Sequence, residues 1–375
     1  MTKKYDAIIL GTGGIGSAAM FHLASETNNI LGLDRFPGGH HRGSSHGETR
    51  IIRQAYFEHP GYVPLLLRAY ELWHELEQLQ QSQLFHQVGL IEVGPADGRL
   101  MNGVRSAAKQ HQLVIESISP AEMQQRFPGY NYPAGYHALF EPAAGYLLVE
   151  QCVLAHLEQA RKLGAEIKSD EEVLDWSVND AGIVTVKTAR KEYQTDRLII
   201  TSGAWAGDLL SNLDLKLRVV RKHLHWYSCA QNSCYHEQQG APTFFYETPA
   251  GCFYGFPQRD ARGLKLAEHT GGEPVSNPLE LDTSVDMTDR ARIEKFLAMH
   301  LPVVSLQPVD HAVCMYTLSP DEHFIVDKHP SYPQVAFAAG LSGHGFKFAS
   351  VLGEILTQLV CNGKTDLPIE FIQRR

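Results

Sequence analysis

The stretch from Asp6 to Asp34 most constrains what this chain can become. It reads Asp6-Ala-Ile-Ile-Leu-Gly11-Thr-Gly13-Gly-Ile-Gly16, then a helical run, then Ile30-Leu-Gly-Leu33-Asp34. The apolar run Ala7–Leu10 suits a buried parallel strand. Gly11, Gly13 and Gly16 follow it directly with the spacing G-x-G-x-x-G. Gly11 permits a tight turn, Gly13 a close approach of backbone to a pyrophosphate, and Gly16 packing of the next helix on the strand. The N-terminus of that helix faces the phosphates. Asp34 ends a second apolar strand about 20 residues further on, where a carboxylate accepts ribose hydroxyls. A glycine triplet alone is weak evidence. Strand, glycines, helix, strand and terminal acid in register predict a dinucleotide-binding unit.

A chain of 375 residues exceeds what one compact core normally takes, so two domains are expected. Its 43% hydrophobic and 20% charged residues fit a soluble globular protein. The formal charge of −9 argues against nucleic acid or an anionic membrane as the main partner. Cys152, Cys229, Cys234, Cys252, Cys314 and Cys361 form no disulfide framework, which fits a reducing compartment. No apolar run approaches the length of a membrane span. The basic start Met1-Thr-Lys-Lys is followed by an apolar run too short for a signal-peptide core. A cytoplasmic enzyme is the expectation.

Along the chain, Arg35 to Arg53 is a long Gly/Ser/His loop, too polar for core, of the kind that carries function. Arg50 and Arg53, three apart, are expected to share one side of a helical turn, as a solvated basic face or an anion site. Helices are predicted from Tyr62 to about Leu79, Asp97 to Gln112, and Val149 to Leu163 with Gly164 as its cap. Ser119-Pro-Ala-Glu122 is a capping box that starts a short helix. Strands are predicted at Phe85–Val93, 173–178, 183–186 and the run from Arg197. Residues from about Leu217 to Tyr316 read as most of an antiparallel domain with one helix, about Asp289 to Met299. Phe324–Asp327 and Val335–Gly340 are closing strands, and a helix from Phe346 to Cys361 ends the fold.

Three stretches draw attention chemically. The turn Gly340-Leu-Ser-Gly343-His344-Gly345, with Lys347 just after it, joins an apolar strand to a helix. The helix N-terminus and these cationic residues suit an electron-rich ring that becomes anionic on reduction; a plain Gly-rich turn with a snorkelling lysine is the alternative. Tyr254 and Lys265 fit paired strands lining a pocket. A lysine between leucines either has a buried task or guards a sheet edge. Cys314, in the strand-like His311-Ala-Val-Cys314-Met-Tyr316, reads as inert packing. His223, His225, Cys229, Cys234 and His236 match no closed metal signature, so no metal is expected.

Several separated stretches together carry a resemblance. They are Gly11–Gly16, Ser44-Ser-His46-Gly-Glu-Thr-Arg50-Ile-Ile-Arg53, Tyr62-Val-Pro-Leu, Tyr254-Gly-Phe-Pro, Leu264-Lys265-Leu, Ala312-Val-Cys314-Met-Tyr316, Asp321–Asp327 and Leu341-Ser-Gly343-His344-Gly345-Phe-Lys347-Phe. With them the chain resembles the monomeric sarcosine oxidase and N-methyltryptophan oxidase family, within the D-amino-acid-oxidase-like flavoproteins. The resemblance implies a two-domain α/β fold: a Rossmann-like FAD-binding domain of glutathione-reductase type and an antiparallel-sheet substrate domain. The first would comprise residues 1–84, 145–216 and 320–375, the second residues 85–144 and 217–319.

The resemblance further implies FAD held by Gly11, Gly13, Gly16, Asp34 and Arg35, with Tyr316 and the turn Gly343, His344, Gly345 beside it. It implies a covalent 8α-S-cysteinyl link at Cys314, against the inert reading. Arg53 and Lys347 would clamp the substrate carboxylate, and Lys265 would activate dioxygen. His269 and Tyr254 would line the substrate side, and His46 and Arg50 would flank the ring; all four are counted with Lys265 as catalytic. The implied reaction oxidises an N-methyl amino acid with dioxygen to the primary amine, formaldehyde and hydrogen peroxide, in a monomer. The alternatives are an oxidase or dehydrogenase of a cyclic imino acid and a non-catalytic dinucleotide-binding protein. Glu48 stands where the family usually has Asp, and Gln54 where it often has His.

Overall fold

The opening glycine unit folds as its spacing predicts. In the computed structural model Lys4–Leu10 is a strand, Gly14–Glu26 a helix, and Ile30–Leu33 a strand parallel to the first. The structure describes residues 3–230 and 233–375, so Met1 and Thr2 of the basic start lie outside the described residues. Residues 7–10 and 30–33 are buried without alternation, because both faces of this sheet are covered. Glu192–Ile200 flanks Lys4–Leu10 on its other side, and Glu166–Lys168 and Tyr332–Ala339 extend the parallel set. Val173–Val178, Val184–Thr188 and Ile325–His329 complete eight strands by antiparallel pairing. The helices Gly14–Glu26, Tyr62–Gln80, Val149–Lys162 and Ala349–Asn362 pack together over this sheet around one apolar core.

The second sheet has nine strands, drawn from residues 90–141 and 218–318. All its pairings are antiparallel except that of Thr243–Thr248 with Leu90–Pro95. Leu264–Glu268 is interior, between Gly251–Phe256 and Arg218–Tyr227, so Lys265 does not guard an edge. The predicted capping box forms: Ser119 accepts from the Glu122 amide, and Glu122 accepts from Ser119 N–H.

Three local expectations are corrected. Arg50 and Arg53 do not share a helical turn: Thr49–Ile52 is a strand paired antiparallel with Gly145–Leu148, and Arg53 follows its end. The β-branched Ile51 and Ile52 favour that extended backbone, and its partner lies far down the chain. The strand expected at Phe85–Val93 is two, because Gly89, at φ +77°, turns the chain between Phe85–His86 and Leu90–Pro95. The helix expected from Phe346 begins as a single 3₁₀ turn, Phe346–Phe348, before Ala349–Asn362. Among the described residues, no helix is long and apolar enough to cross a membrane.

Candidate active site

A cleft of about 200 Å³ runs past the C-terminal ends of the first parallel strands. Gly11, Gly13, Asp34 and Arg35 line one part of it, and Arg50, Tyr316, Gly343 and Gly345 another. Gly13 leaves its side of the cleft open: the nearest atom a Cβ there would meet is Ser45 Oγ, at 4.0 Å. Gly16 lies behind, where a Cβ would run into Gly11 O, so it serves helix-on-strand packing. Asp34 is held in place by three donors: Thr12 N at 2.6 Å, Thr12 Oγ1 at 3.2 Å and Phe36 N at 3.0 Å. Arg35 pairs with Glu172 at 2.6 Å and stacks on Trp205. Gly343 takes φ +79°, and a Cβ there would strike the Tyr316 ring, so only glycine lets this turn lie so close to Tyr316.

A smaller pocket of about 50 Å³ shares Arg50, Tyr316, Gly343 and Phe346 with the cleft. Arg53, Glu58, Phe245, Tyr254, His269, His344 and Lys347 line the rest of it. Arg53 Nη2 donates to both Glu58 oxygens at 2.8 Å. Its guanidinium sits among the rings of Tyr56, Phe57 and Phe245. Burial opposes charge here. Arg53 nevertheless stays more firmly protonated than an ordinary arginine, because Glu58 and Glu92 are beside it. Burial works against Glu58 ionisation too, yet Arg53, with His344 and Lys347, pulls its carboxyl down to about 2.

Lys347 Nζ donates to His344 O at 2.9 Å and to Tyr56 Oη at 3.3 Å. Burial, then Arg53 and Arg50, lower its pKa to about 7. His344 Nε2 lies 2.9 Å from Glu322 O, a pure acceptor, so that nitrogen carries the proton. Nδ1 then accepts from Tyr56 Oη at 2.7 Å. Burial holds His344 down to about 4, so it is neutral and adds no positive charge, contrary to the expectation for this turn. His269 is likewise neutral, lowered to about 3 by burial and Lys222. Tyr254 and Tyr316 bring their hydroxyls to 3.4 Å of each other.

Lys265 lines neither cavity. Its ammonium donates to Gly47 O, to Thr49 O at 3.1 Å and to Thr49 Oγ1 at 2.8 Å, over the rings of Trp226 and Phe256. Burial, then Arg50, push its pKa well below the usual lysine value. Arg50 donates to Thr49 O and Ser44 O, so the same loop carries both cations. His46 is buried with Nε2 unpartnered among the described residues, and burial, then Arg50, lower it to about 3. Cys314 is fully buried, lines neither cavity and lies opposite Lys222 in the sheet. Its side chain lies near those of Arg50, Lys265, Tyr254 and Tyr316. Glu48 has φ +72° and turns its carboxylate to Arg262 at 2.5 Å, while Gln54 N donates to Glu141 at 2.5 Å.

Sequence reasoning missed Tyr56, Glu58, Glu92 and Phe245. Tyr56 and Glu58 stand just past Arg53, a proximity that was the only signal for them. Phe245 and Glu92 meet only through pairing of Thr243–Thr248 with Leu90–Pro95. Of the histidines weighed as metal ligands, His223 Nδ1 lies 2.9 Å from His311 Nε2, and His225 Nε2 2.7 Å from Asp289.

The sequence pattern of the DAO family, described as FAD dependent oxidoreductase, matches residues 6–359. The chain is 38% identical over 368 residues to the monomeric sarcosine oxidase of Arthrobacter sp. (strain TE1826), covering 97% of this chain and 94% of that protein. It is 37% identical over 370 residues to the N-methyl-L-tryptophan oxidase of Escherichia coli O139:H28, covering 98% and 97%. The solved structure of NikD, an unusual amino acid oxidase essential for nikkomycin biosynthesis, superposes with a TM-score of 0.87 at 23% identity, covering 100% of this chain and 98% of that one. That last likeness speaks for the fold, and the first two for descent. By full-length sequence match and by fold, this chain is a member of the DAO family of FAD dependent oxidoreductases.

Proposed function

We propose that this protein oxidises small N-methyl amino acids with dioxygen, giving the primary amino acid, formaldehyde and hydrogen peroxide. The single observation that carries the reading is the second pocket, where Arg53 and Lys347 line one small space that shares Arg50, Tyr316, Gly343 and Phe346 with the cleft. The cleft suits FAD: Gly13 leaves room at the helix N-terminus, Asp34 stands at the end of the second strand, and His46, near Arg50, keeps a buried nitrogen without a partner among the described residues. Gly11, Gly13, Asp34 and Arg35 would hold its nucleotide part, and Arg50, Tyr316 and the turn from Gly343 to Gly345 its ring. Cys314 would tether it covalently. When bound, FAD takes two electrons from the amine and passes them to dioxygen.

The residues supply placement and charge. Arg53 would bind the substrate carboxylate through paired N–H donors, and Lys347 would add a third. Fixing the carboxylate fixes the N-methyl carbon and removes much of the entropic cost of approach. Neutral His269, with Tyr254 and Phe245, makes a wall of low polarity that favours the unprotonated amine. Lys265 would stabilise the negative charge that develops as dioxygen is reduced. The pocket's small volume, about 50 Å³, favours sarcosine over an indole-bearing substrate.

A substrate panel under air tests this. Sarcosine is expected to release peroxide and formaldehyde with the highest kcat/KM, and acid-denatured protein to stay yellow unless Cys314→Ser is introduced. Peroxide from no secondary amino acid overturns the oxidase reading, and turnover of cyclic imino acids alone redirects it. Colour that washes out of the wild-type protein in acid removes the tether.

A further inference from the structure

Glu92 is an acid beside Arg53 for which the reaction has no use. It sits within Leu90–Pro95, in register with Phe245 of the pocket wall on one side and Leu139 on the other. It is fully buried, and neither carboxylate oxygen has a hydrogen-bond partner among the described residues. Arg53 Nη1 stands 3.7 Å from Glu92 Oε1, beyond hydrogen-bond reach. Arg53 Nε is itself buried without a partner among the described residues. Among the described residues, a carboxylate without a hydrogen-bond partner thus stands beside an arginine that has an unpartnered nitrogen of its own and lines the pocket.

We propose that Glu92 is a positioning residue that governs Arg53: as a neutral acid it leaves the guanidinium to the substrate carboxylate, and as an anion it draws it away. This rests on the reading of the pocket as a carboxylate site. The charges around Glu92 support it. Arg53 and Glu58 face it from the segment after Thr49–Ile52, and Glu141 from the neighbouring Tyr136–Glu141, where it accepts from the Gln54 and Ala55 amides. The helix Arg99–His111, packed on the same strand, buries Leu100, Met101, Val104, Ala107 and Ala108, and its His111 Nε2 is buried without a partner among the described residues. Burial raises the Glu92 pKa to about 8; Arg53 opposes this, and Glu141 and Glu58 add to it. With Lys347 protonated, a neutral Glu92 leaves Arg53, Lys347 and Glu58 with one net positive charge, which suits a carboxylate beside an uncharged amine. Ionisation of Glu92 adds a negative charge beside Arg53 at a pH where Lys347 has already begun to lose its own positive charge, so anion binding weakens further as pH rises.

The test uses holoenzyme and methoxyacetate, which keeps the carboxylate but replaces the titrating amine with an ether. Its Kd is read from the visible absorption of the bound cofactor between pH 6 and 9.5. For the wild-type protein, log Kd is expected to climb more steeply above pH 8 than below it, because Lys347 and Glu92 both titrate. In Glu92→Gln the slope above pH 8 falls by about one unit, so binding at pH 9 is up to about tenfold tighter than wild type. At pH 6 the two proteins agree. Parallel profiles for the two proteins overturn the role of Glu92 and leave the carboxylate site standing. A wild-type protein that does not bind methoxyacetate at any pH overturns both. Glu92→Leu provides a second variant without an acid and is expected to show the same flattened profile. Thermal unfolding gives an independent sign: a buried acid with a raised pKa holds its proton in the folded state between its unfolded and folded pKa values. Wild-type stability therefore falls as pH rises through that window, and Glu92→Gln should lose less stability there. An equal fall in both proteins counts against the proposal.

Discussion

Lys265 and Lys347 are the same device used in two ways. Both ammonium groups are buried, both lie over aromatic rings, and burial makes both less willing to hold a proton. An ammonium has three N–H donors. Lys265 spends all three on Gly47 and Thr49 and faces neither cavity. Lys347 uses two, on Tyr56 and His344, and its side chain lines the small pocket. Among the described residues that leaves one donor uncommitted, which the proposed function gives to a substrate carboxylate. The contrast teaches that burial alone does not assign a lysine its task; the number of donors already committed does. A fully committed ammonium acts as a fixed charge on whatever reacts nearby, and a partly committed one acts as a ligand.

The sharpest way to break this comparison is Lys265→Met. Removing a fixed charge from the oxygen step should slow reaction of the reduced enzyme with dioxygen by about 10²-fold or more. Reduction by substrate, followed anaerobically in a stopped-flow instrument, should slow far less. Equal slowing of both would erase the distinction. Lys347→Met comes next. Loss of a charged hydrogen bond to the carboxylate should weaken binding by about 1.5–3 kcal/mol, seen in KM for sarcosine, with a smaller change in kcat. The pH dependence has a fixed sign: the lysine binds anions only while protonated, and its pKa is lowered to about 7. Affinity for a simple carboxylate should therefore fall as pH rises past neutrality, and Lys347→Met should remove that component. A variant that keeps the full wild-type fall would place the clamp elsewhere. The smallest effect is expected from Tyr56→Phe. It takes one acceptor from Lys347 and the donor from His344 Nδ1, at about 0.5–1.5 kcal/mol for a neutral hydrogen bond. A few-fold rise in KM with the oxygen reaction untouched would sharpen the comparison; a slower oxygen reaction would blur it.

The two ends of the site were unequally legible. The nucleotide end is written locally. Gly11, Gly13, Gly16 and Asp34 stand within one βαβ unit, and the spacing that identified them is the spacing that builds the turn. The proposed substrate end is assembled from the stretch around residue 53, three strands of the nine-stranded sheet with His269 at the end of a fourth, and the turn before the last helix. Periodicity and spacing gave no means of bringing these together. Resemblance to a family singled out Arg53, Tyr254, His269 and Lys347, and the structure gathers all four at one pocket. It offered nothing for Glu92, whose meaning depends on strand pairing. Likewise, local spacing put Arg50 and Arg53 on a helix, where pairing with Gly145–Leu148 makes a strand.

By itself the sequence determined the elements whose cause is short-range: the glycine turn, the capping box at Ser119, the amphipathic helices and the alternation of two kinds of sheet. Each is fixed by backbone sterics or by a side chain reaching a few residues along the chain. Only the tertiary structure decided the protonation and the commitments of the buried charges. Whether a lysine has a spare donor, whether His344 is neutral and whether Glu92 faces Arg53 all follow from partners distant in sequence. Desolvation and Coulomb energy act through space, and the chain order does not carry that distance.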